Sequence, residues 1–504
     1  MSVQRNLVAN YIAQAWTALM GLAFIPAYIQ LLGMEAYGLI GFFALLQAWL
    51  LLLDMGMSFV LNREMARFSA GAHDAQSIRN LLRSVEYVAL VVAGLVALGV
   101  MQASGWLATG WLRAQALAPE VVTEAIAVMG FVVAARLVES LYHGAILGLQ
   151  RQVWLAIANS VLVTLRWAGA LGVLLWVDGS IRAFFLWQGA VSLLAIMVFA
   201  VALYRLLPRA VKRATFSLES LRGLWRFAAG LVASTALALL LTQVDKILLS
   251  KLLSLESFGV YALAGVVATA LLQLVTPVTQ AYYPRLTALL TSGDEPGLVR
   301  AYHEGAQIVC ALMVPAAMLL IVFPASVLRL WTGDAALAER AAPLLCALAI
   351  GTALNGFMNM PYMLQLAHGW SSLAARVNAV AALVLVPALL WVTPRYGALG
   401  AAWVWVALNA GYLTVGVALM HRRVLRGEKA AWYFADVALP AVAGALVTVL
   451  MYAIKPSGPS AIVELVWLVV TGLLSLLASV SAAPLLRQRV LARLRPAGSG
   501  KVTP

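Results

Sequence analysis

Apolar runs of about 20 residues, separated by short polar segments, recur along the whole chain. They predict fourteen spans near 7–31, 37–60, 84–105, 122–147, 153–177, 184–206, 227–250, 257–281, 304–325, 341–366, 371–392, 398–420, 435–454 and 461–485. Coiled as helix at about 1.5 Å per residue, runs of this length match the hydrocarbon thickness of a bilayer. Two breaks are brief, around "LGLQRQVW" and "QLAHGWSS", so the pattern also admits twelve or thirteen helices. The first run is too long for the apolar region of a signal peptide and reads as an uncleaved first span.

Composition agrees with the pattern. Of 504 residues, 63% are hydrophobic and 11% charged, with a mean hydropathy of +0.93. The expected fold class is an all-α polytopic membrane protein. A net charge of +14 would suit nucleic acid if it were gathered on one basic domain, but the cations lie in short segments between apolar runs, so no nucleic-acid partner is expected. About 24 of the 34 Lys and Arg fall in alternate segments beginning with the N-terminus, which predicts both termini cytoplasmic. Cys310 and Cys346 each sit inside an apolar run and are expected to pack as small hydrophobes rather than to pair.

The chain also repeats itself. "LLGMEAYGLI" at 31–40 aligns with "LLSLESFGVY" at 252–261, an offset of 221, and "LAIANSV" at 155–161 aligns with "AARVNAV" at 374–380, an offset of 219. Two echoes at nearly one offset point to a duplicated six-helix unit, and an even helix number makes the copies parallel. The expected organisation is an N-terminal lobe at 1–215 (helices 1–6), a C-terminal lobe at 216–430 (helices 7–12), and helices 13 and 14 with a basic tail at 431–504. The basic loop 205–226 would link the lobes.

Six ionisable residues fall deep in spans: Asp54, Arg136, Glu139, Arg166, Asp245 and Lys246. Each costs about 2.5–3.5 kcal/mol on insertion scales, so they are expected to face protein or a wet cavity. Helical spacing collects polar residues into stripes: Arg136, Glu139, Ser140 and His143; Gln152, Asn159 and Arg166; Asn10, Gln14 and Thr17; Thr235, Thr242 and Lys246. The competing structural reading pairs Arg136 with Glu139, leaves Arg166 with no acid within helical reach, and makes His143 a packing residue. In "LLLLDMGMSFVLNREMAR" (50–67), read as one helix, Asp54 lies about 13.5 Å from Arg63 along the axis. The stretch therefore separates into an inner acid and a cytoplasmic pair, Arg63 and Arg67, with Glu64 able to bond Arg67. "GAILG" at 144–148 is a close-packing motif, and Pro26 and Pro277 are the expected hinges.

No nucleotide-binding, metal-ligand or hydrolase signature is present, so neither an enzyme nor a cofactor is expected. A membrane polymerase or ligase would need a long outer loop with paired catalytic groups, and the longest, about 106–121, carries only Arg113 and Glu120.

"LLGMEAYGLIGFFALLQAWLLLLDMGMSFVLNREMAR" resembles the second-helix signature of the polysaccharide transporter family, the Wzx-type flippases. "TQVDKILLSKLLSLESFGVYALA" resembles that family's seventh and eighth helices. The family belongs to the multidrug/oligosaccharidyl-lipid/polysaccharide exporter superfamily, which implies two six-helix lobes and alternating access. The implied function is to move undecaprenyl-diphosphate-linked oligosaccharide repeat units from the cytoplasmic to the periplasmic leaflet, for O-antigen, exopolysaccharide or capsule. The implied location is a bacterial inner membrane, and the implied partners are the lipid-linked glycan, membrane lipids, and the polymerase and chain-length proteins of a glycan assembly system. Arg136, Arg166 and Lys246 would grip diphosphate in the cavity, with Arg63 and Arg67 at its mouth, because Arg offers a fork of donors that stays charged. Asn10, Gln14, Asn159, Asn355 and Asn359 would bind sugar, and Asp54, Glu139 and Asp245 are the acids available for ion coupling. Two alternatives remain open, a cation-coupled multidrug exporter of the same superfamily and a lipid II flippase. A purely structural membrane protein fits poorly with six deep charges.

Overall fold

The computed structural model describes residues 3–54, 56–208, 212, 214–217, 225–458 and 460–494, with backbone alone for 3–10, 51, 225–235, 237, 238, 371, 374, 375, 493 and 494. Every extended regular element among these residues is a helix. Among the described residues, eleven helical segments are long and apolar enough to cross a membrane. The others among the fourteen lie in further segments. Met34–Ala48 is a shorter apolar helix interrupted before Met57–Ser69, and Trp225–Leu252 adds a 28-residue helix. The long segment Arg376–His421 is two spans, because Gly397 breaks it with φ +60 and ψ −149.

The chain divides into two compact units, Met1–Ala262 and Leu263–Pro504. The first contains α1 (Val3–Ala23), α2 (Ile25–Leu32), α3 (Met34–Ala48), α4 (Leu50–Leu53), α5 (Met57–Ser69), α6 (Ala75–Trp106), α7 (Pro119–Gly148), α8 (Gln152–Trp176), α9 (Ile181–Leu206), α10 (Trp225–Leu252) and the start of α11 (Leu255–Ala270). α7 packs against α5, α6 and α9. Small residues make that approach possible: Gly144 rests on the backbone of Ser58, where an added Cβ would fall 2.5 Å from the carbonyl oxygen, and Gly148 rests on the backbone of Asn62. The close-packing role expected of "GAILG" is what the glycines perform. Pro26 stands at the start of α2, just after the helix breaks at Phe24, where a missing N–H leaves no bond unmade.

α3 is buried on almost every side, which explains why its apolar residues show no preferred face. Its first turn crosses the start of α11 at glycine on both sides. Gly38 lies against Leu255, Gly259 lies against Met34, and Gly41 meets Ala262. Each of these contacts maps onto its counterpart under the 221-residue offset of the sequence repeat. The loop after α6 fastens the same end. Leu255 donates its N–H to the Arg113 carbonyl at 2.9 Å, Trp111 donates to the Ser250 hydroxyl at 3.1 Å, and Lys251 lies 4.9 Å over the Trp111 ring. Glu35, in the first turn of α3, accepts N–H bonds from Gln115, from Ala116 at 2.6 Å and from Leu117 at 3.1 Å.

The second unit continues α11 and adds α12 (Leu272–Thr291), α13 (Glu295–Val322), α14 (Pro324–Thr332), α15 (Ala335–Phe357), α16 (Asn359–Ala367), α17 (Ser371–Gly411), α18 (Val417–His421), α19 (Leu439–Ala453), α20 (Ala461–Ala482) and α21 (Pro484–Leu494). α13 packs on α12, α15, α19 and α20. Pro277 lies inside α12, nearly two turns beyond an interruption at Leu271. Cys310 and Cys346 are free thiols, as their surroundings led us to expect.

Widening the α3–α11 crossing should be expensive because the neighbours at Gly38 are backbone atoms that cannot yield. Gly38→Val should therefore lower the thermal unfolding midpoint of the purified protein, by an overpacking penalty of about 1–3 kcal/mol. Gly99→Val, at a position with no atom near an added Cβ, should leave the midpoint unchanged. Equal midpoints in the two variants would contradict the crossing.

Candidate functional site

In the first unit the predicted second span is not a continuous helix. α4 ends at Leu53, Gly56 takes a left-handed φ of +75, and α5 starts at Met57. This corrects the single-helix reading of 50–67: the polypeptide turns at Asp54 and Gly56, and only glycine adopts that φ without strain. The buried Asp54 carboxylate accepts the Ser58 N–H at 3.1 Å and the Ser58 hydroxyl at 2.6 Å. The Ser140 hydroxyl of α7 lies 3.3 Å away. An acid at this place satisfies the first turn of α5, whose free amides and dipole favour negative charge. Farther along α5, Glu64 is buried and gathers Arg67 at 3.0 Å, Arg63 at 3.8 Å and His73 at 2.8 Å, while both arginines remain about half exposed.

Two of the deep cations, Arg136 and Arg166, form one network across four helices. Arg136 on α7 donates to the side-chain carbonyls of Gln47 on α3 and of Gln188 on α9, the latter at 3.2 Å. Its guanidinium lies 5.4 Å over the Phe43 ring. Glu139, one turn on, binds Arg166 of α8 at 2.5 Å, and Gln188 donates to the Arg166 backbone carbonyl at 3.4 Å. The expected Arg136–Glu139 pair is thus replaced by a Glu139–Arg166 pair between helices, and Arg166 does have an acid. Among the described residues no ion pair reaches Arg136, and the buried Nε atoms of Arg136 and Arg166 have no hydrogen-bond partner. A partly buried guanidinium held only by neutral amides and a ring face is an arrangement ready for an anion.

Two more predicted groups fall in this unit. Asn159 donates to His143 Nε2 at 3.0 Å. Asp245 on α10 accepts the Tyr261 hydroxyl at 2.7 Å, and Lys246 donates to the Thr242 carbonyl at 2.9 Å and lies 3.7 Å from Asp245. Gln14 is exposed on α1. The side chains of Asn10 and Thr235 lie outside the described residues.

In the second unit Asn355 and Asn359 border a cavity of about 170 Å³ with Tyr362, Gln365, Asn378 and Tyr412. Sequence reasoning found the two asparagines but not their companions on α16 and α17, because the residues meet only through the fold. It also passed over charges near the span ends. His303 is held by Asp436 and, at 3.1 Å, by Glu428; Gln307 donates to Asp436 at 2.8 Å. Glu464 binds Arg329 at 2.6 Å and Lys455 at 2.7 Å. In the first unit Glu86 accepts the hydroxyls of Tyr142 at 3.0 Å and Tyr204 at 2.9 Å. Each partner stands many residues away or on another helix, beyond the reach of spacing rules; the acids Asp436, Glu464 and Glu304 inside predicted spans were the available signal.

The family model for polysaccharide biosynthesis proteins matches residues 3–290. The chain belongs to this family. Its fold is that of solved membrane transporters. A lipid II flippase MurJ in an inward closed conformation matches with a TM-score of 0.69 and 12% identity, over 97% of this chain and all of that one. An inward-facing multidrug resistance MATE family transporter of the MOP superfamily matches with a TM-score of 0.62 and 17% identity, over 86% of this chain and 96% of that one. The MATE multidrug transporter DinF-BH matches with a TM-score of 0.59 and 13% identity, over 84% and 96%. No curated protein sequence matches significantly. This member of the family is a multi-span membrane protein with the flippase and MATE transporter fold.

The Glu139–Arg166 bond makes a direct test. Glu139→Gln leaves a largely buried guanidinium without its carboxylate and should lower the unfolding midpoint, at a loss of up to about 3 kcal/mol. The double variant Glu139→Gln/Arg166→Gln should lie closer to wild type than either single variant. Strict additivity of the two changes would show that the pair does not interact.

Proposed function

We propose that the protein moves undecaprenyl-diphosphate-linked oligosaccharide repeat units from the cytoplasmic to the periplasmic leaflet of a bacterial inner membrane by alternating access, without enzymatic chemistry. The observation that carries this reading is Arg136, a cation held by Gln47, Gln188 and the Phe43 face with no carboxylate in ion-pair range among the described residues. A diphosphate supplies the missing charge, and guanidinium forks grip phosphate oxygens in two places at once. Arg166 is the second grip, and a diphosphate arriving there competes with Glu139. Displaced from its ion pair, Glu139 becomes the acid that takes up a proton or metal cation, which couples anion binding to an ion gradient. Asp54 and Asp245 are the further coupling acids, and Lys246 a further phosphate contact. Arg63 and Arg67 receive the headgroup at the cytoplasmic mouth; Asn10, Gln14, Asn159, Asn355 and Asn359 contact sugar. The product would feed O-antigen, exopolysaccharide or capsule assembly, with polymerase and chain-length proteins as partners. The family match and the shared transporter fold support the class. The MATE fold keeps a cation-coupled drug exporter as the competing reading, and the lipid II flippase is a variant on a different diphosphate lipid.

Arg136→Gln should reduce surface glycan at least about tenfold, the loss expected for one charged phosphate contact, while the protein stays at its normal level in the membrane. Normal glycan in Arg136→Gln and in Glu139→Gln/Arg166→Gln would overturn the assignment. Raised sensitivity to cationic dyes in those variants, with glycan intact, would establish the drug exporter instead.

A further inference from the structure

The cavity beside α15 and α16 is uncharged. Among the described residues that line it there is no Asp, Glu, Lys, Arg or His. Asn409, Asn355 and Asn359 have settled amide orientations, because a backbone carbonyl can only accept. Asn409 donates to the Trp405 carbonyl at 2.9 Å, which turns its side-chain oxygen to Asn355; Asn355 then donates to that oxygen at 2.9 Å. Asn359 donates to the carbonyls of Asn355 and Gly356, each at 3.1 Å. Both Asn359 contacts and one Asn355 N–H are thereby committed inside the protein, and the side-chain oxygens of Asn355 and Asn359 remain as acceptors. Gln365 adds a third. It is 4% exposed, it lines the cavity, and its Oε1 has no hydrogen-bond partner among the described residues. Leaving a buried acceptor unpaired is costly and calls for a donor from outside the described chain.

We propose that this cavity is a subsite for one neutral sugar ring, which donates hydroxyl or amide N–H groups to Asn355, Asn359 and Gln365 and lies against Tyr362 and Tyr412. The proposal rests on the flippase reading for its biological occupant, a residue of the lipid-linked glycan, but its chemistry is local to the second unit. A volume of about 170 Å³ accommodates one pyranose ring and is far larger than a dehydrated metal ion. The tyrosine rings offer the flat apolar surface that sugar C–H faces prefer. With no cation in the lining, a sugar carboxylate would be desolvated without compensation, so the subsite selects against uronic acids. Asn378 accepts the Tyr412 hydroxyl at 3.0 Å, which fixes that ring in place.

The test uses the full-length protein in lipid nanodiscs and saturation-transfer NMR with three probes, methyl glucoside, methyl N-acetylglucosaminide and methyl glucuronate. The two neutral glycosides should bind and the glucuronate should bind more weakly. Asn359→Leu and Gln365→Met should each weaken the neutral glycosides by about 3- to 10-fold, the range of one neutral hydrogen bond. Gln365→Met removes an unpaired buried acceptor, so its unfolding midpoint should equal or exceed that of wild type, which separates lost binding from lost folding. Binding of sugar-free undecaprenyl diphosphate, measured on the same samples, reports on the flippase reading independently. Glycoside binding that depends on the two residues, without binding of the lipid, would uphold the subsite and count against the flippase. Lipid binding without glycoside binding would overturn the subsite alone. Equal affinities in wild type and variants, equal binding of the glucuronate, or displacement of the glycosides by sodium chloride would also overturn it.

Discussion

A charge placed among membrane helices has to be answered by another helix, and this requirement organises the polar interior of the protein. Surrounding lipid is as apolar as leucine, so greasy packing alone discriminates poorly between one helix neighbour and another. Polar contacts do discriminate, because a slipped or rotated helix would leave a charge unanswered. Glu139 with Arg166 fixes α7 against α8, and Glu86 with Tyr142 and Tyr204 fixes α6 against α7 and α9. In the second unit Asp436 with His303 and Glu464 with Arg329 do the same for the helices that carry them. Arg136 departs from this pattern. Its two amide partners hold the guanidinium in place without cancelling its charge.

The fold class could be read from sequence because bilayer thickness imposes a length on every span, and a hydropathy window measures length. The same averaging hides irregularities inside a span. Asp54 and Gly56 stand between strongly apolar neighbours, so the turn between α4 and α5 leaves the windowed signal intact even though it redirects the chain. Gly397 behaves differently: it falls in the gap read between the spans 371–392 and 398–420, where a single residue with positive φ divides one long helical segment.

The site was legible at the level of residue types and not at the level of partners. Spacing rules reach three, four or seven positions along one helix, which is why Arg136 was matched with Glu139. Arg166 stands 27 residues from Glu139, and the acceptors around Gln365 converge from separate helices. The glycines are an instructive contrast. "GAILG" declared a close approach without naming its partner, and the partner proved to be the backbone of α5.

The reciprocal contacts at the start of α3 and α11 have a consequence for how the two halves of the sequence can diverge. After a duplication, most positions are free to drift in one copy while the other stays fixed. Gly38 and Gly259 lack that freedom, because each abuts the equivalent of the residue that the other abuts, and Gly41 faces its own counterpart, Ala262. A bulkier residue in either copy presses on the other copy's backbone, so mutational tolerance here is a joint property of two sites 221 residues apart. The echo between "LLGMEAYGLI" and "LLSLESFGVY" therefore falls where the two segments touch.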